Sequence, residues 1–122
     1  MKPMPLRTEP SIVLERLYLA DVLTLVRSSK FDAWLRGLAD QKARARIFAR
    51  LTKAEQGHFG DCKPVGEGVS EMRIDVGPGY SVYFVRTGAA VYFLLMGGDK
   101  SSQDRDIEQA KAMARELREQ EP

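Results

Sequence analysis

The chain has 122 residues, of which 43% are hydrophobic and 30% charged, a composition typical of one folded domain and too apolar for a disordered chain. Its single cysteine and single histidine exclude an internal disulfide, a multi-cysteine zinc site and a two-histidine metal site. No apolar run approaches the ~20 residues that span a bilayer, so we expect no membrane partner and a cytoplasmic location. We expect no cofactor, and any chemistry is left to Lys, Arg, Tyr, Asp and Glu.

The net charge of +2 is unevenly distributed along the chain. Residues 27–100 hold 12 basic and 8 acidic side chains, whereas residues 101–122 hold 4 basic and 6 acidic ones. A cationic middle segment suits an anionic partner such as RNA, DNA or an acidic protein. Scatter of composition explains so small an excess equally well, so charge alone does not decide between these interpretations.

The first 21 residues are expected to form a leader outside the folded domain. Three of the six prolines lie in this stretch, where they disfavour regular structure. Residues 22–122 are then expected to form a single domain, which begins with a buried strand over the β-branched and apolar residues 22–27.

Residues 29–56 have the periodicity of two helices. Ser28, Ser29 and Asp40 are typical N-caps, and Gly57 is a typical C-terminal stop. Apolar residues recur at three- and four-residue steps in both segments. The two helices are therefore expected to form a hairpin, with Phe31, Trp34 and Phe48 in its core.

After residue 60 the apolar residues alternate, which predicts an antiparallel meander. Strands are expected at 69–75, 80–86 and 90–96, with a short additional strand within 61–65. Alternation places Glu71 and Arg73 on one face of the first of these strands. The run 90–96 is apolar on both faces and is therefore expected to be central in the sheet.

The end of the chain reads as a loop followed by a helix. Residues 97–100 (GGDK) are expected to form the loop, with Ser101 or Ser102 as the helix cap. Glycines beside a helix N-terminus are typical of an anion-binding nest and also of a plain turn.

Three motifs on these elements resemble a known family. They are GDCKPVGEGVSEMRI at 60–74, GPGYSVY at 77–83 and LLMGGDKSSQDRDI at 94–107. Together they resemble the RelE/ParE toxin superfamily, and within it the addiction-module killer, HigB-like branch. The resemblance covers about residues 22–117 and leaves the leader out.

The resemblance implies an α+β fold, with an N-terminal helical hairpin and a C-terminal helix packed on a mostly antiparallel sheet of four or five strands. It also implies the toxin of a type II toxin–antitoxin module, with an antitoxin encoded alongside as its partner. Many members are ribosome-dependent mRNA endonucleases. The ParE branch instead inhibits DNA gyrase, and a toxin remnant that only binds its antitoxin is a third possibility, so fold alone does not settle the function.

Metal-free RNA cleavage by attack of the ribose 2′-OH needs a proton acceptor, cations for the phosphorane and an acid for the leaving oxygen. The candidate catalytic residues are Arg73, Lys63, Tyr80 and Lys100. For Arg73 the structural alternative is an ion pair with Glu71 or Asp75, and for Lys63 it is a solvated surface position.

Five further residues are candidates for RNA binding: Arg86, Tyr83, Arg46, Arg50 and Lys53. The two tyrosines lie an odd number of residues apart, so only one can share the face of Arg73, and Tyr80 is preferred as the active one. Many relatives carry an arginine at the position of Ser81. With serine there, this chain lacks the planar phosphate ligand that an arginine would provide. A weaker nuclease, other phosphate contacts or a target other than RNA would each account for Ser81.

Overall fold

A computed structural model describes residues 23–88 and 91–120. It confirms the expected α+β architecture, with one five-stranded sheet and helices on both of its faces. The leader prediction falls on residues outside the described part of the chain. Within the described ranges, no helix has both the length and the apolar character needed to cross a membrane.

The described elements follow the predicted order. The strands are β1 (Thr24–Arg27), β2 (Cys62–Gly66), β3 (Val69–Ile74), β4 (Tyr80–Thr87) and β5 (Val91–Asp99). The helices are α1 (Ser29–Gly37), α2 (Gln41–Glu55) and α3 (Gln103–Glu119), and a 3₁₀ turn (Lys100–Ser102) precedes α3.

The strand order in the sheet is β1-β5-β4-β3-β2. The four later strands pair antiparallel, as expected of a meander, and β1 pairs parallel with β5. The centre of the sheet is β4, whereas β5 lies between β4 and the edge strand β1. The run 91–96 thus lies inside the sheet, but the central place that was expected for 90–96 belongs to the neighbouring strand β4. The partial exposure of β1 corrects the buried strand expected over residues 22–27.

Each face of the sheet has its own core. Met72, Ile74 and Val82 pack with the buried residues of α1 and α2, whereas Tyr83 and Val85 pack with the apolar residues of α3. Burying apolar area on both faces is what fixes strand register, because a slip by one residue would exchange the two faces. The alternation predicted for β3 is confirmed.

The helix starts agree with the predicted caps in two cases of three. The Ser28 hydroxyl accepts a hydrogen bond from the Phe31 amide, and the Asp40 carboxylate accepts one from the Ala43 amide. Ser102 occupies the N-cap position of α3, but its hydroxyl donates to the Asp106 carboxylate at 2.6 Å and makes no cap bond. The cap prediction at this third helix is therefore wrong in its chemistry.

Gly97 and Gly98 lie in strand β5, which corrects the prediction of a glycine loop over 97–100. They pair with Val82 and Ser81 of β4. A Cβ atom at Gly97 would collide with the Trp34 ring, and one at Gly98 would collide with the Asp106 carboxylate. The glycines therefore make room for neighbouring side chains, and an anion-binding nest does not explain them.

Phe48 is 47% exposed on the outer side of α2, which corrects its expected place in the core. The guanidinium of Arg27 lies 5.8 Å from the centre of its ring. Phe31 is fully buried as expected, and Trp34 is partly buried against the same core.

We predict that Gly97→Ala destabilises the fold by about 1–3 kcal/mol, because the added methyl overpacks the contact with Trp34. Urea unfolding of the purified protein measures this. Gly37→Ala is the matched control, since a Cβ atom there meets no atom within 4 Å and helix propensity favours alanine by up to about 1 kcal/mol. Equal free energies of unfolding for Gly97→Ala and the parent would contradict the packing account.

Candidate active site

A polar cleft lies where β2, β3 and β4 meet the 3₁₀ turn before α3. Its volume is about 470 Å³. Nine of the side chains around it carry charge or hydrogen-bonding groups: Asp61, Lys63, Glu71, Arg73, Asp75, Tyr80, Ser81, Lys100 and Gln103. All four predicted catalytic residues are among them.

Strand register explains why distant residues meet here. Lys63 of β2 pairs with Glu71 of β3, and Arg73 of β3 pairs with Ser81 of β4. Directly paired residues project to the same face of a sheet, so these four side chains share the face that carries α3. The predicted position of Arg73 on a polar face thus brings it beside Lys63.

Arg73 forms an ion pair with Asp61, at 2.9 Å between Nη2 and Oδ1. The predicted alternatives were Glu71 and Asp75 on its own strand, so the actual partner corrects them. Both side chains are about half exposed, at 47% and 59%. The hydrogen bond from Arg73 lowers the pKa of Asp61, and the same bond raises the pKa of Arg73.

Arg50 holds the backbone beside this ion pair. Its guanidinium donates to the carbonyl of Arg73 at 2.6 Å and to the carbonyl of Phe59 at 3.0 Å. The Arg73 amide in turn donates to the Asp61 carbonyl at 2.9 Å. Arg50 therefore links α2 to the end of β3, a structural use that its prediction as an RNA ligand did not include.

Glu71 is fully buried at the base of the cleft. Its Oε2 accepts hydrogen bonds from the Ser81 hydroxyl at 2.5 Å and from the Gln103 amide at 2.9 Å. Its Oε1 lies 3.9 Å from the Lys63 ammonium. Sequence reasoning named Glu71 only as a possible ion-pair partner of Arg73, and it missed Gln103 altogether. The signal for Glu71 was its place two residues before Arg73 in an alternating strand.

The two tyrosines lie on opposite faces of β4, as predicted. Tyr80 packs beside Trp34 in the core of the helical hairpin, at 8% exposure, and also borders the cleft. Burial, with the carboxylates of Asp40 and Asp99, raises the pKa of Tyr80. Tyr83 and not the preferred Tyr80 shares the face of Arg73, which corrects that preference. Tyr83 is fully buried, however, and burial raises its pKa to about 12. The structure therefore does not bring the Tyr83 ring to a surface that RNA can reach.

Lys100 lies at the opening of the cleft, with its aliphatic stem over Gly79. It is exposed, and it forms no ion pair with any residue in the described ranges. Its ammonium is therefore available to an anion in the cleft.

The other predicted RNA-binding residues lie away from the cleft. Arg46 and Lys53 are exposed on α2. Arg86 is near the far end of β4, where its Nε donates to the Gly88 carbonyl at 2.9 Å. The structure thus brings the four candidate catalytic residues together in the cleft, and it leaves Arg46, Lys53 and Arg86 outside the cleft. Whether any of them acts on RNA stays a prediction.

Neither the cysteine nor a cluster of metal-binding side chains forms a further site in the described part of the chain. Burial raises the pKa of the Cys62 thiol, which donates to the Phe59 carbonyl at 3.4 Å. Among residues 23–88 and 91–120, no three His, Cys, Asp or Glu side chains are grouped so that they could hold a metal ion.

The fold is that of the RelE toxins. A free-state structure of Escherichia coli toxin RelE, carrying two arginine-to-alanine mutations, superposes with a TM-score of 0.62 at 12% sequence identity. The superposition covers 76% of this chain and 97% of RelE. It establishes the shared architecture, and the narrower HigB-like assignment stays a prediction.

An uncharacterized protein of Haemophilus influenzae is 49% identical to this chain over 87 residues. The match covers 71% of this chain and 88% of the relative, so the chain belongs to the same family as that protein. No family model matches the sequence.

We predict that Ser81→Ala costs about 1.5–3 kcal/mol of folding free energy, because it removes a hydrogen bond to a buried carboxylate. Chemical denaturation followed by circular dichroism measures the loss. Ser70→Ala, on the opposite face of β3, is the control and should stay within about 0.5 kcal/mol of the parent. A loss at Ser81 no larger than that at Ser70 would refute the assigned role.

The Asp61–Arg73 pair predicts a pH dependence of stability. The pKa of Asp61 in the folded state lies below its ordinary value of 3.8, so the pair stabilises the fold above about pH 3.8. That contribution disappears as the pH falls through the lower, folded-state pKa. Unfolding free energies of the parent and Asp61→Asn should therefore converge towards pH 2. A difference that persists unchanged at low pH would contradict this.

Proposed function

We propose that this chain is the toxin of a type II toxin–antitoxin module and that it cleaves mRNA on the ribosome without a metal ion. One observation carries the proposal. On a RelE-like fold, a cleft of about 470 Å³ brings together Lys63, Arg73 and Lys100 from three separate elements. Three converging cations suit a phosphate diester, whose charge grows as the 2′-oxygen attacks.

The geometry supports distinct roles for Arg73, Lys100 and Tyr80. The Arg73 guanidinium is planar and can bind two phosphate oxygens, once a phosphate replaces the Asp61 carboxylate as its partner. Lys100 forms no ion pair among the described residues and supplies charge from the cleft opening. Tyr80 borders the cleft with its phenol protonated at neutral pH, so it is the group placed to donate a proton to the leaving 5′-oxygen.

Ser81 favours a second candidate, inhibition of DNA gyrase. In this chain the position holds a hydroxyl group that is committed to Glu71, and it offers a phosphate no guanidinium. One lost charge-assisted contact is worth about 1.5–3 kcal/mol, or roughly ten- to a hundredfold in rate. The remaining cations of the cleft support a slower nuclease, and a gyrase target would need none of them.

For either target the expected protein partner is an antitoxin encoded beside this chain. Co-expression of the two reading frames followed by size-exclusion chromatography tests the pairing. Failure of the two proteins to co-elute would count against a toxin–antitoxin module.

The nuclease proposal predicts discrete new RNA 5′ ends when the chain is induced alone. Arg73→Ala and Lys100→Ala should each reduce the cleavage rate by about tenfold or more, because each removes a cation that stabilises the phosphorane. Mapping of RNA 5′ ends across the transcriptome, at matched protein levels, measures this.

Arg36→Ala is the matched control, since Arg36 is exposed on α1 and lies outside the cleft. It should cleave like the parent. Growth arrest with intact mRNA and DNA damage would reject the nuclease and support the gyrase alternative. Normal growth with intact mRNA and DNA would reject both.

A further inference from the structure

The carboxylate of Glu71 is in an unusual position for a cleft that binds phosphate. The side chain is fully buried, and among its two oxygens only Oε2 has hydrogen-bond donors. Oε1 is buried without a hydrogen-bond partner. Burying such a carboxylate costs folding free energy, and its charge also repels a phosphate. Its presence in this cleft therefore calls for a functional explanation.

The cation nearest to Glu71, Lys63, offers this explanation. The Lys63 ammonium lies 3.9 Å from Oε1, and the Lys63 side chain is 49% exposed towards the cleft. Glu71 is itself inaccessible, so neither of its oxygens can contact a substrate directly. Glu71 therefore acts on the cleft only through the residues that it contacts, and Lys63 is the cation among them.

The other bonds of Glu71 fix where its free oxygen points. Ser81 on β4 and Gln103 at the start of α3 both hold Oε2, so the carboxylate cannot rotate without breaking two hydrogen bonds. Oε1 is thereby directed at β2, where Lys63 pairs with Glu71 across the sheet. Two elements, β4 and α3, thus orient one carboxylate towards one flexible cation on β2.

We propose that Glu71 is a positioning residue that holds the Lys63 ammonium over the cleft, where it meets the scissile phosphate of RNA. A free lysine side chain samples many rotamers, and a fixed counter-ion removes much of that freedom before the substrate arrives. The proposal rests on the proposed nuclease function and assigns Lys63 the task of a prepositioned cation.

A double-mutant cycle on single-turnover cleavage by purified protein, with ribosomes and mRNA, tests the proposal. Lys63→Met should slow cleavage by about a hundredfold. Glu71→Gln, which keeps the shape and the oxygen acceptor, should slow it by about tenfold, and should add almost nothing in the Lys63→Met background. Effects that multiply independently would overturn the proposal, because a purely structural role of Glu71 does not depend on Lys63.

Glu67→Gln is the matched control. Glu67 lies in the turn between β2 and β3, where it pairs with Arg115 outside the cleft. Its substitution removes a carboxylate of similar type and should leave the cleavage rate unchanged. A tenfold loss at Glu67 would show that any lost carboxylate in this region slows the protein.

A second measurement separates failure of this proposal from failure of the proposed function. The ¹H–¹⁵N signals of the lysine ammonium groups, recorded without RNA, report on Lys63 directly. Glu71→Gln should shift or broaden the Lys63 signal, and Glu71→Asp should do the same if Glu71→Gln does not fold. An unchanged Lys63 signal would overturn the proposal even in an active nuclease. A shifted signal in a protein that cleaves no RNA would confirm the contact and reject the nuclease.

Discussion

The buried carboxylate of Glu71 is the constraint on which the geometry of the cleft depends. Taking a carboxylate out of water costs several kcal/mol unless donors and cations replace its hydration. Here the replacements come from Ser81 on β4, Gln103 on α3 and Lys63 on β2. Because these partners belong to different elements, satisfying one charge also fixes how three strands and a helix meet. The cleft lies where that requirement brings the elements together.

The same arrangement leaves the cleft charged but mostly paired. Asp61 faces Arg73, and Glu71 faces Lys63, so Lys100 is the cation at this site that lacks a carboxylate partner among the described residues. The Asp61–Arg73 pair is exposed on both sides, and exposed pairs contribute little to stability. A phosphate that displaces Asp61 therefore needs only modest energy, which makes the paired cleft compatible with binding an anion.

The sequence predicted the elements well, because periodicity and caps are local signals. Alternation in β3 was enough to place Arg73 on the polar face, and Ser28 and Asp40 marked two helix starts. The contacts that define the site are not local. Ser81 and Glu71 are ten residues apart, and Gln103 and Glu71 are 32 apart, so neither pairing leaves a trace in the spacing.

Two errors arose where residue type alone was taken to decide a position. Gly97 and Gly98 suggested a loop because glycine is common in turns, but they belong to a strand that is crowded by Trp34 and Asp106. Phe48 was expected in a core because it is aromatic, yet it lies on the outer side of α2. For the glycines the neighbours that decide the outcome come from other elements. Phe48 instead lies off the inward face of its own helix, whose buried residues are Ala43, Ile47, Leu51 and Ala54.

Electron cryo-microscopy of ribosomes that carry this chain and an mRNA with 2′-O-methyl groups would test the central claim most directly, because the modified mRNA binds but cannot be cut. The account predicts that the chain occupies the mRNA channel with Arg73 and Lys63 at one phosphate and Lys100 beside it. A chain absent from the ribosome, or bound with the cleft turned away from the mRNA, would contradict it.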